Sequence, residues 1–156
     1  MSAEPLLFYE DLEPGSGLAS TVYVIDRDEL VSFARAWDPL PFHVDEEAGV
    51  RAFGGITAPG LYALAVKQRL VHSLTPLAVI ASLGYDEVRF HEPLRPGARV
   101  VLNMEWVSRR VSESKPDRGI VTIRFSLIDH AGKTVMSHLD TVLVRRRFPH
   151  RRPPQD

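Results

Sequence analysis

The spacing of apolar residues changes near Pro76. Before it, apolar residues recur at helical intervals. In D-R-D-E-L-V-S-F-A-R-A-W, Leu30, Phe33, Ala34 and Trp37 share one face, which predicts a helix with a buried Trp37. Asp26 or Asp28 caps its start, and it stops at Asp38 because Pro39 disfavours helical backbone in the residue before it. D-E-E-A-G-V-R-A predicts a second short helix, capped by Asp45 and broken at Phe53-Gly54-Gly55. The longest pattern runs from about Ala58 to Leu74, with Pro59 in a first turn where its missing N–H costs nothing. From Leu61 to Val66 this segment is apolar on almost every side, as in a buried helix. A short strand is expected around Ala19 to Ile25.

After Pro76 the period falls to two. Val100, Leu102, Met104 and Trp106 alternate with Val101, Asn103, Glu105 and Val107. Val121, Ile123, Phe125 and Leu127 share a face of the next strand, and Asp129-His130-Ala131-Gly132-Lys133 predicts a hairpin turn into T-V-M-S-H-L-D-T-V-L-V. L-A-V-I-A-S-L-G-Y-D-E-V-R-F reads as one long strand, or two parted at Gly84. A buried helix followed by four or so antiparallel strands indicates an α+β domain whose sheet wraps that helix.

Composition narrows the function classes. The 156 residues are 44% hydrophobic and 25% charged, with a formal net charge of -1, which argues against a nucleic-acid binder driven by bulk charge. There are no cysteines, so disulfide frameworks, thiol nucleophiles and thiolate metal sites are excluded; a cytoplasmic protein is expected. The opening M-S-A-E-P-L-L-F-Y-E-D does not resemble a signal peptide, and no stretch approaches the roughly 20 apolar residues of a membrane helix. The organisation expected is one domain over residues 1–147 with a basic, proline-rich tail over 148–156. The run R-R-R-F-P-H-R-R-P-P-Q-D from Arg145 is read as solvated chain, with contact to an anionic partner as its functional alternative.

The chemistry-bearing stretch is W-D-P-L-P-F-H-V-D, Trp37 to Asp45. Asp38 ends one helix, and His43 follows across a link stiffened by Pro39 and Pro41. A carboxyl and an imidazole holding one water between them form an acid/base pair near neutral pH; alternatively, Asp38 is a helix-end turn residue and His43 packs against the next helix. The long helix opens with T-A-P-G-L, and its first free N–H groups offer a site for developing negative charge. Pro59 donates nothing, which leaves the Gly60 N–H, with no side chain in the way of a carbonyl. A plain helix start is the alternative there.

Together these residues resemble the MaoC-like dehydratases, which include the (R)-specific enoyl-CoA hydratases. D-P-L-P-F-H-V-D fits that family's D-x-x-P-x-H-x-D pattern. The resemblance continues through Phe53-Gly54-Gly55-Ile56, Thr57-Ala58-Pro59-Gly60-Leu61 and V-R-F-H-E-P-L-R-P-G from Val88 to Gly97, and covers about residues 8 to 145. It implies a hot-dog fold, a long helix wrapped by an antiparallel sheet, paired as a homodimer through sheet edges. It implies that His43 takes a proton from water, that Asp38 orients the water and delivers a proton to Cα, and that Gly60 N–H holds the thioester oxygen. Gly55 and Gln68 are further substrate-binding candidates. The substrate implied is an enoyl-CoA or enoyl-acyl carrier protein thioester, with no metal, organic cofactor, nucleic acid or membrane involved. Two departures bear on acyl-chain specificity: Pro59 stands where many hydratases carry His, and Gln68 where some carry Ser.

Other signals are weaker. Ser82 lacks a G-x-S-x-G context, Gly54-Gly55 lacks the lysine of a phosphate loop, and the six histidines show no zinc-type pairing. His72, His91, His130 and His138 read as surface or sheet residues. Arg89, Arg109, Arg110 and Lys67 are the candidates for CoA phosphates. Two rival functions share the fold: a thioesterase using Asp38 to direct water at the carbonyl, and a non-catalytic acyl-thioester-binding subunit.

Overall fold

The computed structural model describes residues 5–149. A 3-10 turn at Tyr9–Asp11 leads into two short strands, β1 (Gly17–Ala19) and β2 (Tyr23–Val24), where the sequence suggests one. Helix α1 (Arg27–Trp37) follows, then a helical turn α2 (Pro41–Val44), α3 (Glu46–Phe53) and the central helix α4 (Gly60–Val71). Four long strands complete the domain: β3 (Val79–Phe90), β4 (Arg99–Val111), β5 (Arg118–Asp129) and β6 (Thr134–Arg145). They form one antiparallel six-stranded sheet of order β1-β4-β5-β6-β3, with β2 also paired to β4. This is the α+β hot-dog arrangement.

The helix boundaries follow local chemistry. Asp26 Oδ1 accepts from Glu29 N at 2.8 Å and starts α1, while Pro39 ends it at Asp38. Asp45 Oδ1 accepts from Ala48 N at 2.8 Å and starts α3, which Gly54 closes in the left-handed conformation at φ 73°. The link between them carries a turn of helix that the two prolines hide, since Pro41 fits a first-turn position. The central helix is shorter than its periodicity suggests, because Pro59 serves as its N-cap and His72 as its C-cap.

The strand faces fall as the alternation predicts. Val100, Leu102, Met104 and Trp106 of β4 and Val121, Ile123, Phe125 and Leu127 of β5 are all buried. They form one core with Tyr62, Ala63, Val66 and Leu70 of α4. The hairpin at Asp129 is also as expected: its Oδ1 accepts from Ala131 N and Lys133 N, each at 2.9 Å, and Gly132 takes φ 81°. β3 stays one strand through Gly84, with register shifts that include one between Ser82 and Gly84.

Three expectations of burial are corrected. Trp37 is 72% exposed, because it is the last residue of α1 and nothing covers that turn. Leu61 and Ala65 are exposed, so α4 is buried on one side rather than all round. The arginines after β6 are partly engaged: Arg147 pairs with Asp11 at 2.6 Å and Arg146 lies 3.5 Å from Glu10. The rest of that basic segment, from residue 150, lies outside the described residues.

Glu29 fixes α1 over α4. Its Oε1 accepts from Tyr62 Oη at 2.9 Å and Tyr23 Oη at 3.0 Å, and its Oε2 from Arg69 Nη1 at 3.1 Å. Burial and that carboxylate push the Tyr62 phenol well above its usual range. Phe33 and Tyr62 meet edge to face at 5.4 Å, which locks the same helix pair. The first turns of α1 are thereby held against α4. No helix among the described residues is long and apolar enough to cross a membrane.

Candidate active site

The segment from Asp38 to Gly60 folds back on itself. Thr57 N donates to Phe42 O at 3.3 Å and Ala58 N to Leu94 O at 2.7 Å, pinning the strap before α4 between α2 and the β3–β4 loop. That strap presents the Thr57 carbonyl to His43, whose Nδ1 lies 2.5 Å away. A carbonyl only accepts, so Nδ1 carries the hydrogen and Nε2 is left with its lone pair. Nε2 faces Asp38 Oδ2 at 3.7 Å. That exceeds a direct hydrogen bond and leaves both atoms free to bond one water beside them, at about 2.8 Å from each. The Asp38 and His43 side chains therefore converge. His43 is buried, and Asp38 keeps about a third of its side chain exposed.

His43 and Gly60 line one cavity of about 360 Å³, whose walls include Thr57, Ala58 and Pro59. The Gly60 N–H has no protein acceptor among the described residues. A Cβ at Gly60 would stand 2.5 Å from the Phe90 ring, so the missing side chain also makes room for Phe90. Phe90, His91 and Glu92 face the same cavity, from the stretch V-R-F-H-E-P to which the sequence assigns no site role. His91 Nε2 is 2.8 Å from Ser137 Oγ on the neighbouring strand. The signal available in the sequence was the change from alternating strand to a turn rich in polar residues and proline, directly after Phe90.

The other two candidates lie elsewhere. Gly55 is not in the wall of this cavity; its backbone lies beside Arg95, whose Nη1 would meet a Cβ at 3.0 Å and whose Nη2 donates to Phe53 O. Gln68 sits eight residues along α4, about 12 Å from Gly60 at 1.5 Å per residue, in the wall of a second cavity. Its Oε1 accepts from Lys67 Nζ at 3.0 Å. Of the cations considered for CoA phosphates, Lys67 is buried and Arg109 is committed to Tyr9 O, Glu10 O and Glu13. Arg89 and Arg110 remain exposed.

The chain is similar to a MaoC-like dehydratase from Rhodospirillum rubrum at 34% identity and a TM-score of 0.84, covering 90% of this chain and 98% of that one. The unliganded R-hydratase PhaJ1 from Pseudomonas aeruginosa shares the fold at 20% identity and a TM-score of 0.74, over 96% of both chains. A mesaconyl-CoA hydratase from Haloarcula hispanica is 37% identical over 68 residues, 43% of this chain but 19% of that protein's length. The model of the MaoC-like domain matches residues 13–125, a span that holds Asp38, His43 and Gly60, and the chain belongs to that family.

Proposed function

We propose that the protein is a hydratase/dehydratase that adds water reversibly to the double bond of a trans-2-enoyl thioester. The observation that carries this is the orientation of His43, whose Nδ1 is tied to Thr57 O so that the basic Nε2 looks toward Asp38 Oδ2 at 3.7 Å, where one water can bond both. Water bound between them gives a proton to His43 Nε2 as its oxygen bonds to Cβ of the substrate. The double-bond electrons move toward the thioester, whose oxygen gains charge near the Gly60 N–H and the amino end of α4. Asp38 delivers a proton to Cα, and the next water bound to both side chains carries the proton left on His43 back to Asp38. Water is thus added across the double bond, and both side chains return to their starting states.

The comparisons support the reaction class, through the family and its dehydratase and hydratase members. The carrier proposed is CoA or acyl carrier protein, and the assembly a homodimer. β3 is an edge strand twelve residues long with Leu83, Tyr85 and Phe90 exposed, and an edge of that kind needs covering. The test is a panel of enoyl-CoA substrates from crotonyl-CoA upward, followed by loss of the enoyl absorbance. Hydration is expected, and it is abolished in the Asp38→Asn, His43→Gln double variant. Activity surviving in that variant, or release of free CoA without hydration, overturns the assignment.

A further inference from the structure

The β3–β4 loop reaches back over the strap before α4 through two consecutive residues. Leu94 O accepts from Ala58 N at 2.7 Å, and Arg95 Nη2 donates to Phe53 O, the last carbonyl of α3. The strap from Gly54 to Thr57 lies between these two anchors. The Arg95 guanidinium stands beside Gly55, where a Cβ would be 3.0 Å from Nη1. Nη1 is itself buried without a hydrogen-bond partner, and no carboxylate among the described residues pairs with Arg95.

A cation with a buried, unpartnered N–H costs stability, and an aliphatic side chain would pack there without that cost. Nor is the arginine needed to close α3, because Gly54 N donates to Val50 O at 3.0 Å and Gly55 N to Gly49 O at 3.2 Å. What it adds is a fixed separation between loop and strap, and that separation reaches His43 through a single peptide unit. The Ala58 N–H that bonds Leu94 O and the Thr57 C=O that accepts from His43 Nδ1 belong to the same planar trans peptide, so they point in opposite directions. Turning that N–H away from Leu94 O turns the carbonyl away from the imidazole. Ile56 and Leu94 bury their side chains and help to hold strap and loop in place. Apolar burial is non-directional, however, and does not set the rotation of the peptide.

We infer that Arg95 is a positioning residue for His43. Lying outside the wall of the cavity, it holds the β3–β4 loop against the strap and so keeps the Thr57–Ala58 peptide turned with its oxygen on His43 Nδ1. The inference rests on the reading of His43 as the base of a hydratase. Its test compares Arg95→Met, which keeps bulk and removes the donor, with Arg95→Lys, which restores a donor, both in the full chain. The first readout is the tautomer of His43, taken from ring-nitrogen chemical shifts by NMR at about pH 9, where an ordinary histidine is neutral; its signals are those lost in His43→Gln. The unaltered protein and the lysine variant are expected to hold the hydrogen on Nδ1, and the methionine variant to mix the two tautomers. The second readout is hydration of crotonyl-CoA. In Arg95→Met kcat is expected to fall about tenfold or more while KM stays within about threefold, and Arg95→Lys to return kcat to within about threefold of the unaltered protein. A hydrogen still fixed on Nδ1 in Arg95→Met overturns the inference even where kcat has fallen, and so does a lysine variant as impaired as the methionine one. Absence of hydration by the unaltered protein overturns the hydratase reading instead, and the tautomer comparison then decides by itself whether Arg95 positions His43.

Discussion

The two ends of α4 face polar sites built in opposite ways. At the amino end the polar atoms come from interruptions: the close of α1, the helical turn α2 and the strap before Gly60. Main-chain groups orient them there, and Asp38 stays partly in water. At the carboxyl end Tyr85, His138 and Asp140 project from long strands, and their hydrogen-bond partners are Lys67, the Leu139 carbonyl and Ser82. Chemistry that needs a fixed base and a mobile water suits the first construction. The second construction is a polar cluster built into the sheet, with Lys67 Nζ 3.0 Å from Tyr85 Oη and Ser82 Oγ 2.6 Å from Asp140 Oδ1.

This contrast yields expectations that differ in size. The largest concerns the amino end: Asp38→Asn or His43→Gln should each lower kcat/KM for crotonyl-CoA by about 10²–10⁴-fold, with thermal unfolding nearly unchanged. A stability loss that matched the activity loss would make these groups structural and erase the contrast. Next, Gly60→Ala puts a methyl against the Phe90 ring, whose side chain is half exposed and able to move. It should cost about tenfold or more in kcat/KM and less than about 1 kcal/mol in stability. Unchanged turnover there would remove Gly60 from the site.

The carboxyl end should announce itself through pH instead. Burial, with the charge of Lys67 adding to it and that of Asp140 opposing it, holds the His138 imidazole below its usual value of 6.5. As pH falls below about 6.5 the unfolded chain binds the proton first, so stability is full above that pH and declines toward the lower folded value. The slope contributed is at most about 1.4 kcal/mol per pH unit. Urea unfolding at about pH 7.5 and 5.5 should show a smaller acid loss in His138→Gln than in the unaltered protein; equal losses would mean that His138 titrates as it does in water. Smallest is Asp45→Ala, which removes the α3 cap and should cost about 1 kcal/mol without a matching loss of hydration. A large loss of turnover would instead give Asp45 a place beside Asp38 and His43.

The same contrast explains what could be read from the chain. Pro39, Pro41, Pro59 and the glycines at 54, 55 and 60 mark where backbone geometry is forced, so the stretch from Asp38 to Gly60 is legible as a built object. The core faces of β4 and β5 are equally plain, because their opposite faces are mixed with polar residues. T-V-M-S-H-L-D-T-V-L-V is different: Val135, Leu139 and Leu143 stand in one phase and Met136, Val142 and Val144 in the other. Period-two reasoning then gives no inside, and His138 and Asp140 pass as ordinary sheet residues. Trp37 shows a related blind spot. Periodicity gives the phase of a residue on a helix, not whether anything covers the helix's final turn.

The bond from His43 Nδ1 to Thr57 reaches a main-chain oxygen, and this has an evolutionary consequence. No substitution at position 57 deletes that acceptor, so the tautomer of the base is insulated from point mutation there. The strap carrying the oxygen is itself tied by main-chain bonds to Phe42 and Leu94. Side chains around the cavity are thus free to drift toward new acyl groups while the base keeps its orientation.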